Sequence, residues 1–296
     1  MKRNTVVTAA FILAAIMLMG CSDKGENKAE GQETKKNTDD AMGQIEKEYD
    51  ANLGVYALDT GSGQTVSYNA DERFAYASTH KALAAGVLLQ QNDIEELGRT
   101  VEISEADLVN YNPVTEDYVG EAMTLEQLAE ASLHYSDNTA GNLILEEIGG
   151  PEGFKRALRD MGDDVTNPVR SEPNLNEFIP DDPSDTSTPR ALTSSLKSLT
   201  VGDALPGEKQ KLLIDWLKGN QTGDTLIRAG LPENWEVGDR TGAATYGTRN
   251  AIAVIRPPGG EPIFLAVLSN KDKKDAEYDD ELIQRATEET IKALEQ

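Results

Sequence analysis

The sequence predicts an α/β chain of the α+β kind: an antiparallel sheet flanked by terminal helices, with an all-helical lobe inserted between the two halves of the sheet. Three observations carry this. Short alternating or wholly apolar runs lie near both ends of the chain, at 53–59 and 65–68 and again at 235–239, 250–256 and 263–268. Between them, apolar residues recur at helical spacing. Amphipathic stretches at 42–49 and 279–294 close the two ends of the body. The 296 residues suffice for one large or two interleaved domains with ample core, and no internal repeat divides them.

In chain order, Lys2 and Arg3 precede a mostly apolar stretch at 6–19, too short for a comfortable membrane span and shaped like a secretory signal, so 1–20 stand apart from the fold. The stretch ends in Leu18-Met19-Gly20-Cys21, and Cys21 is the only cysteine, so no disulfide forms within one chain. Residues 22–40 are almost wholly polar, and 21–40 are expected to form a flexible tether ahead of a body at 41–296. A helix at 42–49 leads to a hairpin whose turn is Thr60-Gly61-Ser62-Gly63. Tyr76-Ala77-Ser78-Thr79-His80-Lys81 then opens an apolar helix reaching Gln90, and 93–119 reads as irregular. Thr124 and Gln127 form a capping box for a helix ending near His134. Ser136-Asp137-Asn138 is a break; helices follow at 139–148, stopped by Gly149-Gly150, and from Pro151 to about Gly162. Residues 165–189, rich in proline and acid, read as a long loop of the functional kind. Helices are expected at 191–199, 208–216 and, briefly, 224–229, before the late strands and the closing helix. A mixed lobe from 41–73 and 226–296 thus surrounds a helical lobe at 74–225, and the cleft between them is where a site is expected.

Ser78 and Lys81, three residues apart at a helix start, share one face. The helix N-terminus offers unpaired N–H groups to a developing oxyanion, and an amine whose pKa is lowered by burial can accept the hydroxyl proton. Alone, S-x-x-K is also a helix cap followed by a surface lysine. What raises it is order: Ser78-x-x-Lys81, then Ser136-Asp137-Asn138, then Arg240-Thr241-Gly242, a K-T-G-like triplet placed after a strand. Further runs accompany these: Tyr111-Asn112-Pro113-Val114-Thr115, Arg170-Ser171-Glu172-Pro173-Asn174-Leu175-Asn176-Glu177 and Tyr246-Gly247-Thr248-Arg249-Asn250. Over about 43–294 the chain resembles the class A serine β-lactamases, penicillinases of the Gram-positive lipoprotein type.

The resemblance implies the serine β-lactamase/DD-peptidase-like fold and a division of labour. Ser78 is the nucleophile and carries the acyl-enzyme, Lys81 is near enough to take its proton, and Ser136 passes a proton to the departing lactam nitrogen. Glu172, with Asn176, holds and activates the water that releases the ester; whether Lys81 or Glu172 also activates Ser78 stays open. Arg170 and Asp185 pair across the ends of the loop. Asn138 meets the substrate's side-chain amide and the lysine, and Asp137 is a buried structural acceptor. Arg240, Thr241 and Arg249 receive the substrate carboxylate, with Gly242 completing the triplet. Backbone N–H groups of Ser78 and Ala243 form the oxyanion hole, and Tyr111 walls the cleft. Arg240 replaces the usual lysine with a forked donor, as in some carbenicillin-hydrolysing members, so carboxypenicillins are expected substrates. Ala251 stands where an acid often follows Thr-Arg-Asn, and Ala243, Ala244 and Thr245 give no extended-spectrum signal.

A net charge of -24 argues against nucleic acid and against polybasic attachment to anionic lipid, and suits salty or alkaline surroundings. Two histidines and one cysteine cannot furnish the usual zinc set, so no metal or other cofactor is expected, and His80 and His134 read as packing or surface residues. The run ending at Cys21 resembles a lipoprotein cleavage box. It implies export and a lipid on Cys21 holding a monomer at the outer face of the bacterial membrane, a reading that also accommodates a released extracellular form. Rival readings are a penicillin-binding DD-peptidase, which would lack the Glu172 to Asn176 run, and a non-hydrolytic β-lactam sensor or solute-binding lipoprotein.

Overall fold

Helix α1 (Asp23–Tyr49) opens the computed structural model, which describes residues 23–295. The expected export signal and Cys21 lie outside the described residues. Contrary to the expected tether, 23–40 are helical and continuous with 42–49. Lys, Glu, Gln and Ala, strong helix formers, make up half of the segment, and extending an already nucleated helix adds a hydrogen bond per residue without a new nucleation cost. Met42 and Ile45 anchor its last turns in the core.

The chain continues through β1 (Asn52–Asp59), β2 (Thr65–Tyr68), β3 (Phe74–Ala75), a 3-10 turn Ala77–Thr79, and α2 (His80–Gln91). Next come β4 (Thr100–Glu102), β5 (Ala122–Thr124), α3 (Leu125–His134), α4 (Asn138–Glu147) and α5 (Gly150–Asp160). Then follow β6 (Thr186–Ser187), α6 (Pro189–Thr200), α7 (Gly207–Lys218), β7 (Glu236–Ala244), β8 (Thr248–Arg256), β9 (Ile263–Asn270) and α8 (Asp280–Leu294). The sheet runs β2-β1-β9-β8-β7, every pairing antiparallel.

Strand alternation sends residues of β8 and β9 to two different cores. Ala251, Ala253, Ile255, Leu265 and Val267 pack with Leu282, Ile283 and Ala286 of α8 and with α1; Ile252, Val254, Phe264, Ala266 and Leu268 pack with the helices of the other face. That two-sided burial is why both strands read as unbroken apolar runs.

The inserted lobe is not wholly helical: β3 pairs β6, and β4 pairs β5 inside the stretch expected to be irregular. The helix expected at 224–229 is replaced by turns and a 3-10 turn Arg228–Gly230. Arg240-Thr241-Gly242 lies within β7 rather than after a strand. Its polar residues interrupt the apolar pattern because they face the site. The Thr124–Gln127 capping box forms as expected, Thr124 Oγ1 accepting from Gln127 N at 3.1 Å and Gln127 Oε1 from Thr124 N at 2.8 Å. No described helix is long and apolar enough to cross a membrane.

Candidate active site

The turn that presents Ser78 is held from three sides. Ala77 has a φ of 46°, a left-handed conformation uncommon for a residue with a Cβ, and it throws the serine to the head of the 3-10 turn before α2. Asn250 of β8 donates from Nδ2 to Ala75 O at 2.7 Å, tying the incoming chain to the sheet. Gly242 of β7 presses against the turn so closely that a Cβ there would stand 3.1 Å from Ser78 N and 3.0 Å from Ala77 Cβ. The edge strand carrying Ala243 therefore runs beside the serine, as two backbone donors aimed at one oxygen require.

Ser78 Oγ donates to Glu172 Oε1 at 3.3 Å and accepts from Ser136 Oγ, also at 3.3 Å. Ser136 Oγ in turn accepts from Arg240 Nη2. Each hydroxyl has one proton, so the chain has a direction: guanidinium to Ser136, Ser136 to Ser78, Ser78 to carboxylate. Lys81 Nζ donates to Asn138 Oδ1 at 2.6 Å and Ser136 O at 3.0 Å, and pairs with Glu172 Oε1 at 3.2 Å. Among the described residues no hydrogen bond joins Lys81 to Ser78. The lysine expected next to the hydroxyl instead has all three donors engaged elsewhere.

Electrostatics follow from burial. Ser78, Lys81 and Glu172 are all buried. Burial pulls the Lys81 ammonium down to about 8; Glu172 pulls the other way without restoring the ordinary value. Burial pushes Glu172 up, but the Lys81 charge and the donors around it outweigh that and hold the carboxyl below its usual range. At neutral pH the resting site thus carries a carboxylate and a mostly protonated amine. His80 is pulled down to about 4 by burial, its Nδ1 2.7 Å from Ala77 O and its ring between Tyr76 and Phe154; it packs, as expected.

Glu172 is positioned by its backbone. Asn142, one helical turn after Asn138 on α4, donates from Nδ2 to Glu172 O and accepts Glu172 N at Oδ1, both at 2.9 Å. The Glu172–Pro173 peptide is cis. Asn176 donates from Nδ2 to Glu172 Oε2 at 2.5 Å, and its Oδ1 is buried without a partner. Arg170 Nε pairs with Asp185 Oδ2 at 2.5 Å; Asp185 Oδ1 also accepts Tyr76 OH at 2.8 Å and Val169 N at 2.9 Å. The two ends of the loop are thereby tied to each other and to the turn before Ser78. Asp137 caps α4, accepting from Ala140 N, Val114 N, Thr115 N and Thr115 Oγ1, which makes it a buried structural acceptor. Asn138 gives its Nδ2 to Asn110 O at 3.0 Å.

On the β7 side, Arg240 is fully buried, and burial pulls it down to about 10, still charged at neutral pH. Its Nη1 reaches Thr241 Oγ1 and Thr222 Oγ1, each at 3.3 Å. Arg249 is held by Asp280 at the start of α8, Nε to Oδ1 2.7 Å, over the Tyr278 ring. The charge partner that Ala251 does not supply thus comes from α8. Tyr111, at φ 62° and 58% exposed, stands at the mouth, its carbonyl accepting Asn138 N at 3.0 Å.

A buried serine joined to a second serine and to a carboxylate that a lysine also meets is an acyl-transfer constellation. A family model described as the β-lactamase enzyme family matches residues 37–294. The chain belongs to the β-lactamase enzyme family. It is 55% identical over 288 residues to a β-lactamase of Bacillus licheniformis, covering 97% of this chain and 94% of that protein. With β-lactamase 3 of Bacillus cereus it shares 51% identity over 298 residues, 97% of this chain and 94% of the other. Its fold matches the crystal structure of a class A β-lactamase from Clostridium kluyveri DSM 555 with a TM-score of 0.87 at 49% identity, covering 88% and 99% of the two chains. A halotolerant bacterial β-lactamase matches at 0.85 and 48%, covering 86% and 98%.

As a class A serine β-lactamase, the chain brings all four expected catalytic residues into one hydrogen-bonded network, and with them Asn138, Asn176, Arg240 and Thr241. Residue reading missed Asn142, Thr222, Thr245 and Asp280. Asn142 had a signal, its i+4 spacing from Asn138. Thr245 had none: its N–H and Oγ1 both donate to Asn176 O at 3.2 Å, and Oγ1 accepts Phe178 N at 3.0 Å, across a wide sequence gap.

Proposed function

We propose that this β-lactamase hydrolyses the lactam ring of penicillins, carboxypenicillins included, through an acyl-enzyme on Ser78 released by a Glu172-activated water. The observation that supports it most is the shared carboxylate: Oε1 of Glu172 accepts Ser78 and pairs with Lys81, while Oε2 accepts Asn176, whose own Oδ1 is left buried without a partner. In the first step Ser78 Oγ attacks the lactam carbonyl carbon as its proton leaves to Glu172, the base ionised at rest. Lys81 stays protonated and stabilises the site. The carbonyl oxygen takes up charge against the N–H groups of Ser78 and Ala243. As the C–N bond breaks, Ser136 gives its proton to the nitrogen and recovers one from the Lys81 ammonium, which in turn takes the proton that Glu172 accepted from Ser78, so Lys81 ends the step protonated and Glu172 ionised. In the second step a water between Glu172 and Asn176 gives a proton to the carboxylate and attacks the ester carbon. The Ser78 C–O bond then breaks and the serine regains its proton.

Arg240 and Thr241, with Arg249 behind them, are the groups suited to the substrate carboxylate, and the fork of Arg240 suits a second carboxylate on the side chain. The protein would be exported and held by lipid on Cys21 at the outer face of the membrane as a monomer. Turnover of benzylpenicillin and carbenicillin by the wild type and Arg240→Lys tests the substrate assignment. The lysine variant should lose carbenicillin turnover preferentially, by about tenfold for one charge-assisted hydrogen bond; an unchanged ratio removes Arg240 from specificity.

A further inference from the structure

The chain of donors at Arg240 has a second branch that the reaction above leaves unused, and it ends on Thr222, a half-buried residue in the turn after α7. Thr222 Oγ1 lies 2.7 Å from Asn220 Oδ1, 2.6 Å from Thr241 Oγ1 and 3.3 Å from Arg240 Nη1. A threonine has one hydroxyl proton, so these contacts fix where protons go. Asn220 Oδ1 can only accept. When Thr222 donates to it, Thr241 must donate its own proton to Thr222 and has none for a ligand. When Thr222 turns its proton to Thr241, Asn220 Oδ1 keeps its bond from Thr222 N at 3.0 Å, and the Thr241 proton is released.

The far side of this branch is rigid. Asn220 is fully buried, with its Nδ2 on Asp239 Oδ1 at 3.0 Å, and the same oxygen accepts Arg228 Nη2 at 2.7 Å. Gly223 is needed for that packing, since a Cβ there would lie 2.0 Å from Asp239 Oδ2. The amide that competes for the Thr222 proton therefore cannot turn away, and the choice rests with the threonine.

Resting on the proposed penicillinase reading, we propose that Thr222 is a positioning residue for the substrate carboxylate: by turning its hydroxyl from Asn220 to Thr241 it frees the Thr241 proton for the carboxylate, while it remains an acceptor for Arg240. Its loss removes a donor from Thr241 and an acceptor from Arg240 together. The effect falls on capture of the carboxylate and acylation, not on water attack at Glu172.

The test compares wild type, Thr222→Val and Thr222→Ser on benzylpenicillin and on its methyl ester, which lacks the carboxylate charge. Thr222→Val should lower kcat/KM for benzylpenicillin about tenfold, the cost of a hydrogen bond to a charged group, with a smaller change in kcat. Thr222→Ser should restore it, and on the ester the three proteins should acylate at the same rate, read by mass spectrometry. Equal kcat/KM for wild type and Thr222→Val on benzylpenicillin overturns the proposal, as does a loss that persists undiminished on the ester. Absence of benzylpenicillin turnover by the wild type would instead remove the reading on which it rests.

Discussion

A serine hydroxyl and a lysine ammonium converge on one oxygen of Glu172, and their protonation sets what the enzyme does with pH. If Glu172 is the acylation base, kcat/KM falls on the acid side, where the carboxylate protonates below the usual range, and stays level through neutrality. It declines as Lys81 loses its charge near pH 8. Stopped-flow acylation between pH 4 and 10 distinguishes this from lysine catalysis, whose rate would climb through about 8. Stability titrates with the same two groups. The depressed Lys81 pKa means that the unfolded chain binds more protons between about 8 and 10, so the cost of burying this cation is full at neutrality and relieved as pH rises through that window. Glu172, held low, contributes stability above the ordinary carboxylate range that is lost as pH falls through its folded value.

At the scale of elements, the loop between α5 and β6 works because both ends are fastened. Asp185 binds Arg170, Tyr76 OH and the backbone of Val169. Removing it in Asp185→Ala leaves a half-buried guanidinium and a buried phenol unpaired, and should cost about 3 kcal/mol in urea unfolding. A loss under about 1 kcal/mol would mean that the pair fastens nothing. This loop also shows what was legible in the sequence. Its residues stand close together in one run, as do Ser78 with Lys81 and Ser136 with Asn138, so each local cluster carries its own signal. Thr222 is a single polar residue whose partner Thr241 comes from a strand 19 positions on, and no local pattern marks such a pair. Two-residue strands such as β3 and β6 are too short to show a period, so they too were invisible. Residues 23–40 mislead in the other direction: lack of apolar periodicity reads as disorder, although half of the residues are strong helix formers that extend the helix anchored at 42–49.

For the whole molecule, 52 acidic against 28 basic residues leave a self-repelling surface, and most of the ion pairs among the described residues have at least one exposed member. Salt shortens the reach of that repulsion from about 30 Å at 0.01 M to about 3 Å at 1 M. The thermal midpoint should therefore rise with sodium chloride over that range by about 2–4 °C for each kcal/mol of repulsion relieved. A fall would mean that surface ion pairs stabilise more than net charge destabilises. The strands β8 and β9 that separate the two cores, by contrast, are readable at this scale, because two-sided burial writes itself as unbroken apolar sequence.

On the proposed mechanism Glu172 is what makes this site a hydrolase, and one measurement reaches it directly: intact-protein mass spectrometry of wild type and Glu172→Ala after mixing with benzylpenicillin. The account predicts that the wild type turns substrate over and returns to its own mass, while the variant holds a penicilloyl adduct on Ser78. A variant that clears its adduct as fast as the wild type would contradict it.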